Sequence, residues 1–200
     1  MVINRPQILA RPLANIKKRR MKIQIEETNK ILGSDYNILI KGKKKFHVSW
    51  KSGFKIIDNK DQVQLTVKKK WNIFRLHPKI LITIPNTKQQ WTLDFNGDSE
   101  YSLMNDNKRI DFYEQIGRKV GLFANENQIG YFDKQKTTKM GNDKYELVID
   151  NNLEYLPIIA TVIAYDLYIA PDNSDTYKYY DYGNINTKPK QTINSKWKPK

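Results

Sequence analysis

Between Met21 and Asp150 apolar and polar residues alternate with a period of two, the pattern of strands that bury one face. Val63, Leu65 and Val67 show it, as do Ile80, Ile82 and Ile84, then Trp91, Leu93 and Phe95, then Tyr145, Leu147 and Ile149. The same rhythm predicts strands over Lys22 to Glu26, Tyr36 to Ile40, Phe46 to Trp50, Phe54 to Ile57 and Tyr101 to Met104. It continues through Ile110 to Gln115, Val120 to Ala124 and Ile129 to Phe132. Turn clusters separate the runs: Asp58-Asn59-Lys60-Asp61, Asn96-Gly97-Asp98, Asn105-Asp106-Asn107-Lys108, Asn125-Glu126-Asn127 and Gly141-Asn142-Asp143. Asn, Asp and Gly tolerate positive φ, so these are hairpin corners. About a dozen short strands at this spacing make an antiparallel sandwich or barrel.

One segment breaks the rhythm. Leu153 to Ala170 opens with Glu154 and Pro157 and is then apolar in every direction, which predicts a helix over 153–169 that is buried on all sides. The stretch without charge runs only from Tyr155 to Tyr165, a rod of about 16 Å at 1.5 Å per residue. A membrane span needs about 20 residues, and Asp166 argues further against lipid around it. The axis of a small closed barrel suits such a rod better.

A barrel closed around an apolar C-terminal helix resembles the tubby C-terminal-like superfamily, with its LURP-one-related proteins and phospholipid scramblases. The residues that carry the resemblance run from Ile110 to Asp166: IDFYEQIGRKVG, LFANENQIGYFDKQ, KYELVID and then LPIIATVIAYD, a helix ending in an acid. Gly117, Gly130, Tyr145, Ala160, Ala164 and Asp166 fall where the pattern of bacterial-type members places them. The resemblance implies a mainly β fold, a closed antiparallel barrel of about twelve strands over 22–170, filled by the helix. Ala160, Thr161 and Ala164 are small enough to let the wall approach the helix, while Ile158, Ile159, Val162 and Ile163 fill the interior. Asp166 then needs backbone amides or a Lys at the barrel mouth as partners, because a buried carboxylate must be satisfied. Tubby domains bind phosphoinositides, so the resemblance also implies an anionic lipid as ligand, with no lipid-contacting residue matched one by one.

The formal charge is +14, and its distribution matters more than its size. Residues 1–22 contribute +7, residues 171–200 contribute +3, and the foldable middle only +4. Basicity therefore belongs mainly to the two ends. Residues 1–21 form a basic arm ending in Lys17, Lys18, Arg19 and Arg20, with Lys22 just after it. Charge precedes no apolar stretch of the kind a secretory signal needs, and Pro6 and Pro12 interrupt any long helix. Residues 171–200 are Tyr-rich at Tyr177, Tyr179, Tyr180 and Tyr182 and Lys-rich beyond, with the composition of an unpacked tail from Asn184 onward. The Tyr cluster is suited either to stacking on nucleobases or to packing back on the barrel.

No constellation for catalysis is present in the sequence. With no Cys and only His47 and His77, thiolate nucleophiles, Cys-based zinc sites and multi-histidine metal sites are excluded, and no motif calls for a cofactor. His47 alternates with Phe46, Val48 and Trp50 and therefore points outward or into a polar pocket; His77 precedes Pro78 in a loop. A non-enzymatic binding domain is the expectation. The candidate anion or lipid site is the Lys43-Lys44-Lys45 run with the Lys68-Lys69-Lys70 run, Arg75 and Lys79, beside Trp71 and Phe74. Cations on phosphate and an aromatic at the interface are what a headgroup surface recognises. Charge runs at strand ends are equally the solvated tips of hairpins. Nucleic acid held by the basic ends is a rival partner, and a protein partner a third. Absence of Cys together with the lipid reading places the chain in the cytoplasm, at the inner face of a membrane.

Overall fold

Alternation along each run becomes one wall. A computed structural model describes residues 20–29, 35–50, 53–70, 79–97, 99–135, 143–168 and 189–198. Twelve strands follow in chain order: β1 (Arg20–Asn29), β2 (Asp35–Ile40), β3 (Lys43–Trp50), β4 (Phe54–Asp58), β5 (Val63–Lys70) and β6 (Lys79–Ile84). After them come β7 (Gln89–Gly97), β8 (Glu100–Met104), β9 (Arg109–Glu114), β10 (Lys119–Ala124), β11 (Asn127–Lys134) and β12 (Lys144–Asp150). Each pairs antiparallel with its chain neighbour, and β1 pairs with β12, so the sheet closes into a barrel with no free edge. The open choice between sandwich and barrel is thus decided by the ladder between the first strand and the last.

The inward positions are those of the alternating pattern. Ile23, Ile25, Ile38, Ile56, Leu65, Ile80, Ile82, Leu93, Leu103, Phe112, Leu122, Phe132 and Leu147 are all fully buried. Inside them runs α1 (Tyr155–Tyr168), with Ile158, Ile159, Ala160, Thr161, Val162, Ile163 and Ala164 wholly inaccessible. A helix apolar on every side is stable here because the barrel surrounds it. It begins two residues after the expected Leu153, because a turn in which the Leu153 amide donates to Asp150 O at 3.3 Å intervenes. Pro157 sits in the first helical turn, where its missing N–H costs nothing. No helix among the described residues is long and apolar enough to cross a membrane.

The corners follow the turn chemistry. Asn125 and Glu126 both have positive φ (48° and 64°) and join β10 to β11 as a two-residue hairpin loop. Lys41-Gly42, which the turn clusters above do not include, does the same between β2 and β3 with φ of 54° and 72°. Because all strands are antiparallel, odd strands start and even strands end at one rim, where α1 enters. We call this the entry rim, and the opposite end, where α1 finishes, the exit rim.

Residues 189–198 lie on the outer wall. Trp197 meets Tyr131 edge-on at 6.4 Å between centroids, and its Nε1 donates to Gln128 O at 2.7 Å. The sequence reading leaves 184–200 without packing; in this stretch a Trp and side-chain amides supply it. The arm before Arg20 and the Tyr177 to Tyr182 cluster lie outside the described residues.

Candidate functional site

Two polar features stand out, one at each rim. At the exit rim, Asp166 projects from the last turns of α1 and is 8% exposed. Tyr36 at the start of β2 donates its hydroxyl to Oδ2 at 2.5 Å, and Tyr145 at the start of β12 donates to Oδ1. Lys134 at the end of β11 is 3.9 Å from Oδ1 and 2.5 Å from Asp143 Oδ2. Asp143 in turn accepts a backbone bond from the Glu27 amide at 2.8 Å and donates its own amide to Glu27 Oε2 at 3.1 Å. Burial pushes the Asp166 carboxyl up to about 6, against the two tyrosine bonds and Lys134, which favour the charged form. Burial likewise pushes the Tyr145 phenol well above its ordinary range, keeping it a donor. The expected partners of Asp166 were amides or a Lys. The Lys is there as Lys134, in direct ion-pair range, and two tyrosine hydroxyls that the sequence did not point to supply the hydrogen bonds. This cluster ties the helix end to β2, β11 and β12. Its groups face one another, so its chemistry is that of a brace.

The entry rim is different. A cleft of about 330 Å³ opens between the start of β1, the β2–β3 turn and the beginning of α1. Arg20, Lys22, Lys41 and Lys45 line it together with Met21, Ile40, Phe46, Asn151 and Tyr155, and among the described residues no acidic side chain lines it. The four cations are all exposed. The lower wall is apolar: Met21, Ile40, Phe46 and Tyr155 pack against the core, with Phe46 and Tyr155 rings 6.5 Å apart. Lys22 also pairs with Glu146 Oε2 at 2.8 Å, so its charge is shared with β12. Local sequence explains the gathering. The tight Lys41-Gly42 turn lifts Lys41 to the rim, and the start of β3 presents Lys45 one strand beyond β2 from β1, which opens with Arg20 at the end of the basic arm.

A larger, shallower groove of about 530 Å³ lies on the outer wall over β2 and β3. His47, half-buried opposite Asn37, lines it with Asp35, Lys44 and Ser49, as expected of an outward position on β3.

The model of the LURP-one-related family matches residues 11–166, from within the basic arm to the buried carboxylate. The chain belongs to this family. No curated protein and no solved structure gives a significant match. The residues that carry the resemblance in the sequence, Ile110 to Asp166, are the C-terminal third of the matched span, and the barrel confirms the tubby-like architecture they imply.

In this LURP-one-related barrel the sequence-predicted lysines among the described residues do not form one site. Lys43, Lys44 and Lys45 open β3 at the entry rim, whereas Lys68, Lys69 and Lys70 close β5 at the exit rim, where Lys70 faces Lys79 across the ladder. Seven residue steps of about 3.4 Å along β5 separate the rims by about 24 Å. Even the first run divides, since Lys45 lines the entry-rim cleft and Lys44 the wall groove. Lys69 instead lies over the Tyr168 ring at 4.9 Å. Arg75, His77, Trp71 and Phe74 lie outside the described residues, as do Lys17, Lys18 and Arg19. The structure brings together Arg20 and Lys22 from the arm's edge with Lys45. Lys41 was missed; the signal was the Lys-Gly pair between two alternating runs, which marks a positive-φ turn and hence an exposed rim position.

Proposed function

We propose that this LURP-one-related barrel is a non-catalytic domain that associates peripherally with anionic lipid headgroups through its entry rim. The observation that carries this reading is the cleft of Arg20, Lys22, Lys41 and Lys45 above an apolar lower wall. Guanidinium and ammonium groups recognise phosphate and carboxylate oxygens, and the Met21, Phe46 and Tyr155 side chains suit the boundary between headgroup and acyl chain. Each cation close to an anionic surface contributes about 1 kcal/mol, so Arg20, Lys41 and Lys45, with a smaller share from the Glu146-paired Lys22 and with the arm that continues from Arg20, suffice for reversible retention. The cleft residues come from β1, β2, the following turn, β3 and the start of α1, all held by the barrel, so the site is preorganised rather than assembled on contact.

Flotation of the full chain with phosphatidylserine-containing vesicles, set beside phosphatidylcholine alone, tests it. Wild type should float with the anionic vesicles only, and Lys41→Glu/Lys45→Glu should lower retention by at least tenfold, from about 1 kcal/mol per cation lost. Equal retention of wild type and the reversal variant would remove the entry rim as the contact surface. An electrophoretic shift with DNA or RNA, carried out in parallel, addresses the rival partner; retardation of nucleic acid without vesicle binding would replace the lipid reading.

A further inference from the structure

Residues 189–198 lie beyond the span matched by the LURP-one-related family, yet wall side chains hold their backbone in a specific way. Gln115 Nε2 donates to Gln191 O at 2.9 Å while its Oε1 accepts from the Ile193 amide at 3.0 Å. One primary amide thus donates to and accepts from the same passing chain, as a neighbouring strand would. Gln128 Oε1 accepts from the Asn194 amide at 2.9 Å. Gln191 and Ile193 are half-buried on either side of exposed Thr192, the alternation of a strand laid on a surface. Gly121 makes room for the Phe123 ring and for Ile193, since a Cβ there would stand 2.6 Å from Phe123 Cε2 and 3.0 Å from Ile193 Cγ1. Asn194 then closes a turn, accepting from the Trp197 amide at 2.9 Å through its carbonyl and from the Lys196 amide at 2.8 Å through Oδ1. Trp197 completes the clasp on Gln128 and Tyr131.

The segment therefore runs from Gln115, just past the exit-rim end of β9, to Gln128, at the entry-rim start of β11. That course carries Lys196 and Lys198, both exposed, toward the rim that holds the basic cleft. In barrel order β11 is followed by β12 and then β1, the strand of Arg20 and Lys22. Two ladder steps of about 4.8 Å place the clasp about 10 Å from that strand, about one Debye length at 0.1 M ionic strength and slightly more than the physiological value of about 8 Å.

We propose that residues 189–198 are a latched third part of the anion site, in which the clasp of Gln115, Gln128 and Trp197 holds Lys196 and Lys198 toward the entry rim on the side of Arg20 and Lys22, extending the basic surface that Lys41 and Lys45 continue on the far side of β1. This rests on the lipid reading of the cleft and adds a separate claim, that the latch and not merely the presence of the charge sets affinity. A cation on an undocked segment is at the rim for only part of the time, whereas a docked one is already in place when an anionic surface arrives.

Two full-length variants separate charge from latch. Ile193→Ala/Trp197→Ala keeps every charge and removes both anchors; Lys196→Gln/Lys198→Gln keeps the anchors and removes two charges. Amide hydrogen exchange at Ile193 and Asn194 reports docking, and partitioning onto phosphatidylserine–phosphatidylcholine vesicles reports binding. Wild type and the charge variant should show slowed exchange at both amides, and the anchor variant should lose it. Both variants should partition about fivefold or more weakly than wild type, the loss expected for removing about one cation's worth of contact. Anchor-variant partitioning equal to wild type, with its amides exchanging freely, would overturn the latch while leaving the lipid reading intact. Unprotected amides in wild type would overturn it as well. If wild type fails to bind anionic vesicles at all, the lipid reading and the latch fall together, and Lys41→Glu/Lys45→Glu will likewise show no effect.

Discussion

Asp166 is the residue whose chemistry departs most from the surrounding apolar interior. Its carboxyl has a folded-state value of about 6 against an ordinary 3.8, so the folded protein holds the proton more tightly than the unfolded chain. The Asp166 contribution to stability is then fully present below about pH 4 and is lost as pH rises through about 6, a change on the order of 3 kcal/mol for a shift of this size. Denaturant midpoints measured from pH 4 to 8 should fall with pH more steeply in wild type than in Asp166→Asn, with the difference flattening above about pH 7. Tyr36→Phe removes one donor from the same carboxylate. It should cost about 1.5–3 kcal/mol above pH 7, as for a hydrogen bond to a charged group, and less at pH 4, as read by the same titration. The sequence marks Asp166 as an acid closing an apolar helix, but Tyr36 and Tyr145 stand 130 and 21 positions away, and nothing local names them as its partners.

At the scale of elements, the alternating runs were legible in number and to within about three residues at their ends, since a strand with one buried face must repeat every second position; the lysine runs that lengthen β3 and β5 carry no apolar position to mark them. The helix was legible for the opposite reason, an apolar surface with no polar side to offer water. Its packing is tight enough to test. Ile163→Ala should cost about 2–5 kcal/mol through transfer and cavity terms, and Ala164→Leu about 1–3 kcal/mol through overpacking, both read by equilibrium unfolding. The docked segment 189–198 was not legible. Its composition is Lys-rich and otherwise mostly polar, and its two anchors, Ile193 and Trp197, are too few and too irregularly spaced to give a period.

For the whole molecule, the antiparallel order sorts the basic residues to two ends. Lys68, Lys70 and Lys79 gather at the exit rim, where like charges stand across the β5–β6 ladder. The entry rim combines the edge of the arm, the β2–β3 turn, the start of β3 and the direction of the docked tail. Lys68→Glu/Lys70→Glu should therefore leave retention on anionic vesicles within about twofold of wild type, in contrast to the loss of one cation's contribution or more at the entry rim. Raising salt from low to physiological strength should weaken wild-type retention as the Debye length shortens to about 8 Å, and cosedimentation across a salt series measures it.

Sequence alone determined the strand rhythm, the buried helix, the family resemblance and the concentration of charge at the chain ends, because each depends on the identity and order of neighbouring residues. Only the tertiary structure decided which of those charges share a surface. Two runs of three lysines look equivalent along the chain, yet β3 and β5 both run from entry rim to exit rim, one run opens its strand and the other closes it, and they part by the length of the barrel. Conversely Arg20, Lys41 and Lys45 are brought to one cleft by a tight turn and by neighbouring strands. Closure itself, with β1 against β12, joins residues more than 110 positions apart, and a contact of that kind is specified by the fit of the whole core rather than by any local pattern.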